Sequence, residues 1–520
     1  MMKTKYCMMA AVALMSVPLA AQETYQDTKL VENELNGTAR YVGMGGAMEA
    51  LGADVSTVAT NPAGVGLFRS SQVSLSGGLI SQQGETTTPS FNGISANING
   101  NKTNPSFDQV GFIYAMPSGR NGYLNFAFNY RKSRNFDQIM TAASALTYAS
   151  QNKLTALKYA GANDYNWNGV DANYVQLMTP IKDAQGKQTG MEYLDGTAYV
   201  FGQYQKGYIG EYSFNLSGNI NDRVFLGLTM GLRDVNYRSN SYYTENLDHN
   251  AVSESWEDLR IDGSGFDVKA GVIFRPIETS PFRVGVYVHT PTWYDLSLSG
   301  ANDITMSDPA GKVDKGQRAT YDFKVYTPWK FGLSLGHTIG KQFALGATYE
   351  YADYSTIDNR VNDGEYYDYW TGGYYENSYS DGGMNDHTKA TLKGVSTLKL
   401  GAEYKPLDNL AIRLGYNYQS PMFNKDGFRD GSISSAGSAY ATSTDYTNWK
   451  STNRVTCGFG YTVKHFFMDM AYQYSQTDGE FYPFMSYYSP SNNPKESNIA
   501  DAVNVSHKRH QLLFTLGYRF

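Results

Sequence analysis

Side chains that could perform catalysis occur in the 520-residue chain, but they are not spaced for it. Neither a G-x-S-x-G nucleophile elbow nor an H-E-x-x-H zinc motif occurs. Cys457 lies on the apolar face of a predicted strand, where a thiol packs rather than reacts. The seven histidines are scattered, at positions 249, 289, 337, 387, 465, 507 and 510. The sequence therefore predicts no catalytic residue, no metal site and no cofactor, and a protein that is not an enzyme.

A glycine-rich stretch, residues 40–68, is the most unusual segment and reads RYVGMGGAMEALGADVSTVATNPAGVGLF. Its G-M-G-G spacing is reminiscent of a phosphate-binding loop. That interpretation fails, because no strand precedes the glycines and no acidic residue follows in a βαβ frame. Six glycines and Pro62 instead predict a compact segment of sharp turns.

The first 21 residues have the layout of a secretory signal: Lys3 and Lys5, an apolar run at 7–19, then Ala20-Ala21. The mature chain is expected to start near Gln22, with Cys457 as its single cysteine, so no disulfide framework is possible. No later apolar run is long enough for a membrane-spanning helix. The net charge of -6 is spread along the chain without a basic block, which excludes a nucleic-acid partner.

The rest of the chain alternates between apolar and polar residues in segments of strand length. Short connections alternate with long ones, which is typical of a bacterial outer-membrane barrel. The sequence predicts an all-β fold: a 14-stranded antiparallel transmembrane β-barrel over residues 71–520, whose longest extracellular loop is 132–207. The predicted strands are 72–81, 109–116, 122–131, 208–219, 224–237, 264–274, 282–298, 320–337, 343–356, 394–405, 410–420, 450–463, 466–476 and 509–520.

The two phases of these strands differ in composition. One phase is apolar or aromatic, as in Leu226, Leu228 and Leu232, and the other collects ionisable residues such as Lys399 and Glu403. An ionised side chain facing lipid costs about 2 to 4 kcal/mol near the midplane, so the charged phase must face the lumen. A soluble β-sandwich would alternate as well, but it would need neither fourteen strands nor a terminal Phe520.

The size of the barrel suggests that something fills it. Fourteen strands enclose a hole too wide for the wall side chains to close. Residues 22–70 precede the first strand and are predicted to form an N-terminal hatch inside the lumen. Relief of curvature and space for that hatch are both possible reasons for the lumen-phase glycines, at 227, 231, 271, 285, 332, 336, 346, 401, 415, 458, 460 and 517.

Together, these features resemble a known family. The run Asn61-Pro62-Ala63-Gly64 after a glycine-rich opening, the hairpin LGAEYKPLDNLAIRLGYNYQSP at 400–421 and the closing aromatic residue resemble the FadL/TodX-type transporters of long-chain fatty acids and aromatic hydrocarbons. The resemblance implies a hatch that occludes the lumen, with Asn61, Pro62 and Ala63 in it, an external capture site, and a sideways exit through the wall at the third strand.

Three segments bear on that expectation. Residues 123–131 alternate without Pro, Gly or a bulge signal, so the sequence does not support a sideways exit there. Residues 141–160 have helical spacing, which suggests a loop helix that either lines a capture groove or packs as a lid. Residues 365–379, EYYDYWTGGYYENSY, are dense in aromatic side chains that could stack on a ligand or serve as interfacial tyrosines.

The predicted function is passive uptake of hydrophobic small molecules across the outer membrane of a Gram-negative bacterium, gated by the hatch at Asn61, Pro62, Ala63 and Gly64. The expected partners are the solute, outer-membrane lipid and lipopolysaccharide, and the barrel-assembly machinery through Phe520. Two alternatives remain open: a FadL-like barrel that acts as a carrier or docking partner in protein secretion, and a haem-binding surface receptor.

Overall fold

The computed structural model describes residues 23–118, 122–160, 169–308, 310–314, 319–370, 372–429, 433, 443–489, 491 and 493–520. The predicted signal peptide, residues 1–21, lies outside the described residues. The described residues contain the α-helices α1 (Thr24–Val31), α2 (Ala39–Gly43), α3 (Gln151–Ala160), α4 (Gly169–Tyr174) and α5 (Gly382–Thr391). Short 3-10 helices cover Val55–Ala59, Pro62–Leu67, Asp248–Asn250 and Tyr354–Thr356. Within the described residues, none of the helices has the length and apolar character needed to cross a bilayer.

Strands make up most of the described chain. In order they are β1 (Gln72–Gln83), β2 (Ser90–Phe91), β3 (Ile94–Ser95), β4 (Thr103–Pro117), β5 (Tyr123–Asn135), β6 (Gln138–Ala149), β7 (Pro180–Lys182), β8 (Gln188–Met191), β9 (Gly196–Ile220), β10 (Val224–Leu247), β11 (Val252–Phe274), β12 (Arg283–His289), β13 (Trp293–Ser307), β14 (Ala310–Asp314), β15 (Ala319–Tyr326), β16 (Lys330–Ile339), β17 (Phe343–Asp353), β18 (Asp358–Asp368), β19 (Gly373–Ser380), β20 (Gly394–Leu407), β21 (Leu410–Gln419), β22 (Tyr446–Val463), β23 (Phe466–Tyr482) and β24 (Val503–Arg519).

Fourteen of these strands form a closed antiparallel ring. The order around the ring is β1, β4, β5, β9, β10, β11, β12, β16, β17, β20, β21, β22, β23 and β24. The ring closes because the first strand pairs with the last, with Leu75 opposite Leu516. The predicted 14-stranded transmembrane barrel is confirmed, and each predicted strand corresponds to one member of this ring.

The outward face changes character along each long strand. On β10 the outward side chains next to the short turn are Leu226, Leu228, Met230 and Leu232, and all four are exposed. Beyond Leu232 the same phase continues as Asp234, Asn236, Arg238 and Asn240. A band of exposed apolar side chains about ten residues tall is what a membrane-spanning wall requires. The parts of β9, β10 and β11 that lie farthest from the short turns, called their upper parts below, therefore extend beyond the bilayer.

Two predicted strands are interrupted at the end of the apolar band that lies farthest from the short turns. The predicted strand 282–298 divides into β12 and β13 around Pro291, and 320–337 divides into β15 and β16 around Pro328. Proline lacks the N–H that a strand ladder needs, so each strand bends there. Trp293 and Trp329 follow these prolines and are exposed, as expected for indole rings at the membrane–water boundary.

The prediction for residues 141–160 was half wrong. Gln138–Ala149 forms strand β6, which pairs with the upper part of β9, and the helix α3 begins only at Gln151. Alanine favours helices and is depleted in strands, so pairing with β9 overrides the local preference of the alanines in this stretch. The predicted loop 132–207 thus holds β6, α3, α4 and the hairpin β7–β8, and its last residues belong to β9.

Candidate functional site

The N-terminal segment, residues 23–70, is almost entirely buried and folds as a chain of capped turns. Thr38 caps α2 by accepting a hydrogen bond from the N–H of Tyr41. Asp54 and Asn61 cap the two 3-10 helices in the same way, through Ser56 and Ala63. Asx and Thr side chains satisfy the free N–H groups at helix starts, which stabilises the short turns of this segment.

Side chains from around the ring hydrogen-bond to the backbone of this segment. Asn125 of β5 donates to the Val65 carbonyl at 2.7 Å, and Thr229 of β10 donates to the Val58 carbonyl at 2.9 Å. Other donors come from β9, β12, β21 and β22, and they are Ser217, Arg283, Asn417 and Thr456. Because these donors lie on widely separated strands, the segment contacts the inward face of the barrel on all sides.

The four residues predicted as hatch residues lie together against β9, β10 and β11. Asn61 donates through Nδ2 to the Glu49 carbonyl at 3.0 Å and accepts from the Ala63 N–H at 3.2 Å. The Pro62 carbonyl accepts from Ser217 of β9 at 2.8 Å. Ala63 packs on Phe225 and Ile273, and the Gly64 carbonyl accepts from the Ala53 N–H at 3.0 Å. The N-P-A-G turn is therefore fixed both to the wall and to the rest of the segment.

The inward-facing glycines divide into two groups. In eight of the twelve, a Cβ would meet the N-terminal segment; these are Gly227, Gly271, Gly285, Gly336, Gly346, Gly401, Gly415 and Gly458. In the other four, Gly231, Gly332, Gly460 and Gly517, the neighbours are wall side chains. Most of these glycines thus leave room for the segment rather than only relieve curvature.

Four of the eight form a continuous row across the wall. Gly336, Gly346, Gly401 and Gly415 are directly opposite one another on β16, β17, β20 and β21. Residues 44–51 lie on this row, where a Cβ on Gly346 would overlap the carbonyl oxygen of Ala47. Glycine here permits an approach of backbone to backbone that any side chain would block.

A buried carboxylate connects the segment to the same part of the wall. Glu49 is completely buried and accepts from Tyr41 at 3.0 Å, from Thr348 at 2.8 Å and from Lys399 at 2.9 Å. Lys399 also contacts Glu350 at 3.5 Å. A carboxylate that is desolvated to this degree is tolerated only with such a complete set of donors.

The first residues of the segment, 23–36, are held differently. Wall side chains that lie farther from the short turns than the glycine row bind them. Arg509 binds Glu34 at 2.7 Å, and Arg134 binds Glu32. Burial would raise the pKa of Glu34, but the guanidinium groups of Arg509 and Arg134 outweigh burial and lower it below its usual value. Glu34 also donates its N–H to the carbonyl of Ser133 at 2.8 Å, where β5 has a bulge between Lys132 and Arg134.

The aromatic stack around Tyr25 holds α1. Its ring stacks on Phe423 at 5.1 Å and meets Tyr446 at 5.2 Å, and its hydroxyl donates to Asn448 at 2.8 Å. Two cavities of about 80 Å³ each lie beside this part of the segment, and both are lined mainly by polar side chains. Space for movement therefore exists here, and polar rather than apolar side chains surround it.

The predicted aromatic loop 365–379 forms the hairpin β18–β19, whose tip projects from the wall. Trp370 is 98% exposed and Tyr369 is 90% exposed. Tyr367 contacts Tyr369 and Tyr374, each at 5.1 Å between ring centres. The rings form a free surface outside the barrel. Among the described residues, no group of three or more His, Cys, Asp or Glu side chains is arranged to bind a metal ion.

Comparisons with known proteins find similar structures but no sequence relatives. No family model and no curated protein matches the chain. The toluene transporter TbuX of Ralstonia pickettii is similar with a TM-score of 0.49 and 13% identity, over 94% of this chain and 99% of its own. A FadL homologue of Pseudomonas aeruginosa (0.48, 13%) and the toluene transporter TodX of Pseudomonas putida (0.49, 12%) are similar over the same shares of both chains. At these identities the likeness concerns the fold.

Proposed function

We propose that this chain is an outer-membrane channel for passive entry of hydrophobic small molecules, such as long-chain fatty acids or aromatic hydrocarbons, and that its N-terminal segment is the gate. The observation that carries the proposal is the row of glycines against which residues 44–51 lie. Along this row, four adjacent strands carry glycine instead of a larger residue. The space that this leaves fits the backbone of the segment. A barrel whose own first residues fill it can conduct only when they move.

The gate in this proposal includes Asn61, Pro62, Ala63 and Gly64. Their contacts with β9 to β11 would have to be exchanged for a continuous route through the barrel to form. The exposed rings of the β18–β19 hairpin are suited to the first contact with an apolar solute. The substrate class follows the resemblance of the N-P-A-G segment to FadL/TodX-type transporters, and no energy source enters the scheme.

Removal of the segment tests the gate. Deletion of residues 22–70 from the mature chain should raise the conductance of planar bilayers for small hydrophilic solutes, because this segment contacts the inward face of the barrel on widely separated strands. A gel-mobility difference between boiled and unboiled protein would show that the truncated barrel still folds. Conductance equal to that of the full chain, from a folded barrel, would contradict the plug.

A second function is favoured by the polar lining of the cavities beside α1 and by the projecting hairpin. Both suit a polypeptide partner, as in a barrel that acts as a carrier or docking partner in protein secretion. Mass spectrometry of the protein purified in mild detergent separates the two. A retained hydrocarbon or fatty acid supports transport, whereas secreted proteins that co-purify with the wild type support docking. A Soret band on titration with haemin would indicate the haem-receptor alternative.

A further inference from the structure

One of the two cavities beside the first residues of the N-terminal segment is lined by more cationic than anionic side chains. It has a volume of about 80 Å³ and lies between the segment and strands β5, β22, β23 and β24. Among the described residues, its lining includes the carboxylates of Glu32 and Glu34 and the guanidinium groups of Arg134, Arg454 and Arg509. Arg134 binds Glu32, and Arg509 binds Glu34 through two hydrogen bonds, at 2.7 Å and 3.0 Å. Each carboxylate is therefore neutralised by its own arginine, and Arg454 is left over.

Arg454 is a buried cation whose hydrogen bonds go to neutral groups. It donates to the side-chain oxygen of Asn417 at 3.0 Å and to that of Gln419 at 3.4 Å. Its side chain is only 9% exposed, and within the described part of the chain no carboxylate forms an ion pair with it. Burial of a charge is costly unless an opposite charge lies beside it. The cavity next to Arg454 is the place where such a charge can bind.

Polar atoms without a hydrogen-bond partner are concentrated around the same cavity. Among the described residues, Arg134 Nε, Gln473 Oε1, His507 Nε2 and Arg509 Nε have none. Gln473 is 3% exposed and Arg509 is 6% exposed, so both side chains are shielded from the solvent outside the barrel. An imidazole can carry its proton on Nε2, and rotation of a carboxamide exchanges its oxygen for an NH2 group. All four side chains can therefore donate hydrogen bonds to a guest that only accepts them.

The register of the wall directs two of these guanidinium groups to one place. Arg454 lies opposite Ser475, and Ser475 lies opposite Arg509, on the neighbouring strands β22, β23 and β24. Neighbouring strands are about 4.8 Å apart, so the two arginine backbones are separated by roughly 10 Å. Arginine side chains are long enough to reach across that distance from both sides. One small anion can thus contact both guanidinium groups and the hydroxyl between them.

We propose that this cavity binds one small inorganic oxyanion of the phosphate or sulfate type. The planar fork of a guanidinium group matches the geometry of an oxyanion, and hydrogen bonds between such charged groups are strong. A water molecule takes up about 30 Å³ in the liquid, so the cavity has room for an ion of a few heavy atoms. The tail of a fatty acid would find only Phe136 and Trp449 as apolar neighbours in this lining. The proposal does not depend on the transport function.

The test uses the mature full-length chain in detergent and isothermal titration calorimetry with sodium phosphate and sodium sulfate, at fixed ionic strength. Arg454→Gln removes the unpaired cation. Lys450→Gln is the matched control, because it removes the same charge from the same strand but its side chain is half-exposed and does not line the cavity. Wild type and Lys450→Gln should bind one oxyanion with equal affinity, and Arg454→Gln should bind it at least about tenfold more weakly.

The melting temperature without added oxyanion separates an anion site from a purely structural arginine. Arg454→Gln should then melt no lower than wild type, because it removes a buried charge that has no counter-charge. Addition of phosphate should raise the melting temperature of wild type and of Lys450→Gln, and it should leave that of Arg454→Gln nearly unchanged.

Several results would overturn the proposal. They are no saturable binding by wild type, equal affinity of all three proteins, a large loss of stability in oxyanion-free Arg454→Gln, and displacement of bound phosphate by laurate, which would assign the cavity to a fatty acid. If Arg454→Gln does not fold, crystals of the wild type soaked in selenate give an independent answer. An anomalous selenium peak is expected between Arg454, Ser475 and Arg509, and its absence would contradict the site.

Discussion

The two halves of the N-terminal segment are held in the barrel by different means. Residues 37–70 lie with their backbone against wall glycines and receive hydrogen bonds from wall side chains on most sides. Residues 23–36 are held by side chains alone at most points, through the Tyr25 stack and the ion pairs of Glu32 and Glu34, with cavities beside them. Residues 37–70 form the lower half of the segment and are the fixed part. Residues 23–36 form the upper half, which is expected to move first.

The largest effect is expected at Glu49 of the lower half. Glu49→Gln leaves the Lys399 ammonium buried without its nearest carboxylate, and loss of one partner of a buried pair costs about 3 to 5 kcal/mol. The melting temperature in detergent should fall, and the conductance should rise. The double variant Glu49→Gln/Lys399→Met should recover part of the loss, because no buried charge remains unpaired between these two positions. A single variant as stable as wild type would contradict a fixed lower half.

A pair of glycine variants tests the glycine row. A Cβ at Gly346 meets the Ala47 carbonyl of the segment, whereas at Gly517 it meets the far end of the Phe467 ring, which can rotate away. Gly346→Ala should cost roughly 1 to 3 kcal/mol through overpacking and should raise the conductance. Gly517→Ala should leave the conductance unchanged. Equal conductance for the two variants would mean that the row does not position the segment.

The ring of strands was predictable because alternation and turn lengths are local properties of the sequence. Each of the fourteen predicted strands exists, and the lengths were underestimated where the wall rises beyond the membrane. There the outward phase of β10 changes from leucine to Asp234 and Asn236, so the contrast that marks a strand in lipid disappears. The divisions at Pro291 and Pro328 were visible as prolines, but the surrounding alternation favoured continuous strands.

The site was predictable only in part. The sequence placed Lys399 in the lumen phase and grouped Asn61 to Gly64, since both follow from local pattern. It did not pair Lys399 with Glu49, because 350 residues separate them and their contact depends on the register of every strand between.

Each half of the segment contains one buried tyrosine, Tyr41 or Tyr25, that can be replaced by phenylalanine. Tyr41 donates to the buried Glu49 carboxylate, and a hydrogen bond to a charged group contributes about 1.5 to 3 kcal/mol. Tyr25 donates to the neutral Asn448 amide, where the loss is about 0.5 to 1.5 kcal/mol. Tyr41→Phe should therefore lower the melting temperature more than Tyr25→Phe. A reversed order would mean that the upper half is the more firmly held.

The smallest effect is a pH dependence confined to the upper half. Because the folded pKa of Glu34 is lowered, its pairing with Arg509 contributes stability above the unfolded pKa, about 4.3, and this stability is lost as the pH falls through the folded pKa. In bilayers, wild-type conductance should rise as the pH is lowered below about 4. Glu34→Gln cannot form the ion pair at any pH, so it should have a slightly higher conductance at neutral pH and a smaller rise in acid. The difference between the two proteins isolates Glu34 from the other carboxylates, which titrate in both. Identical pH profiles would mean that this ion pair does not restrain the first residues of the segment, and the contrast between the halves would then depend on the Tyr25 stack alone.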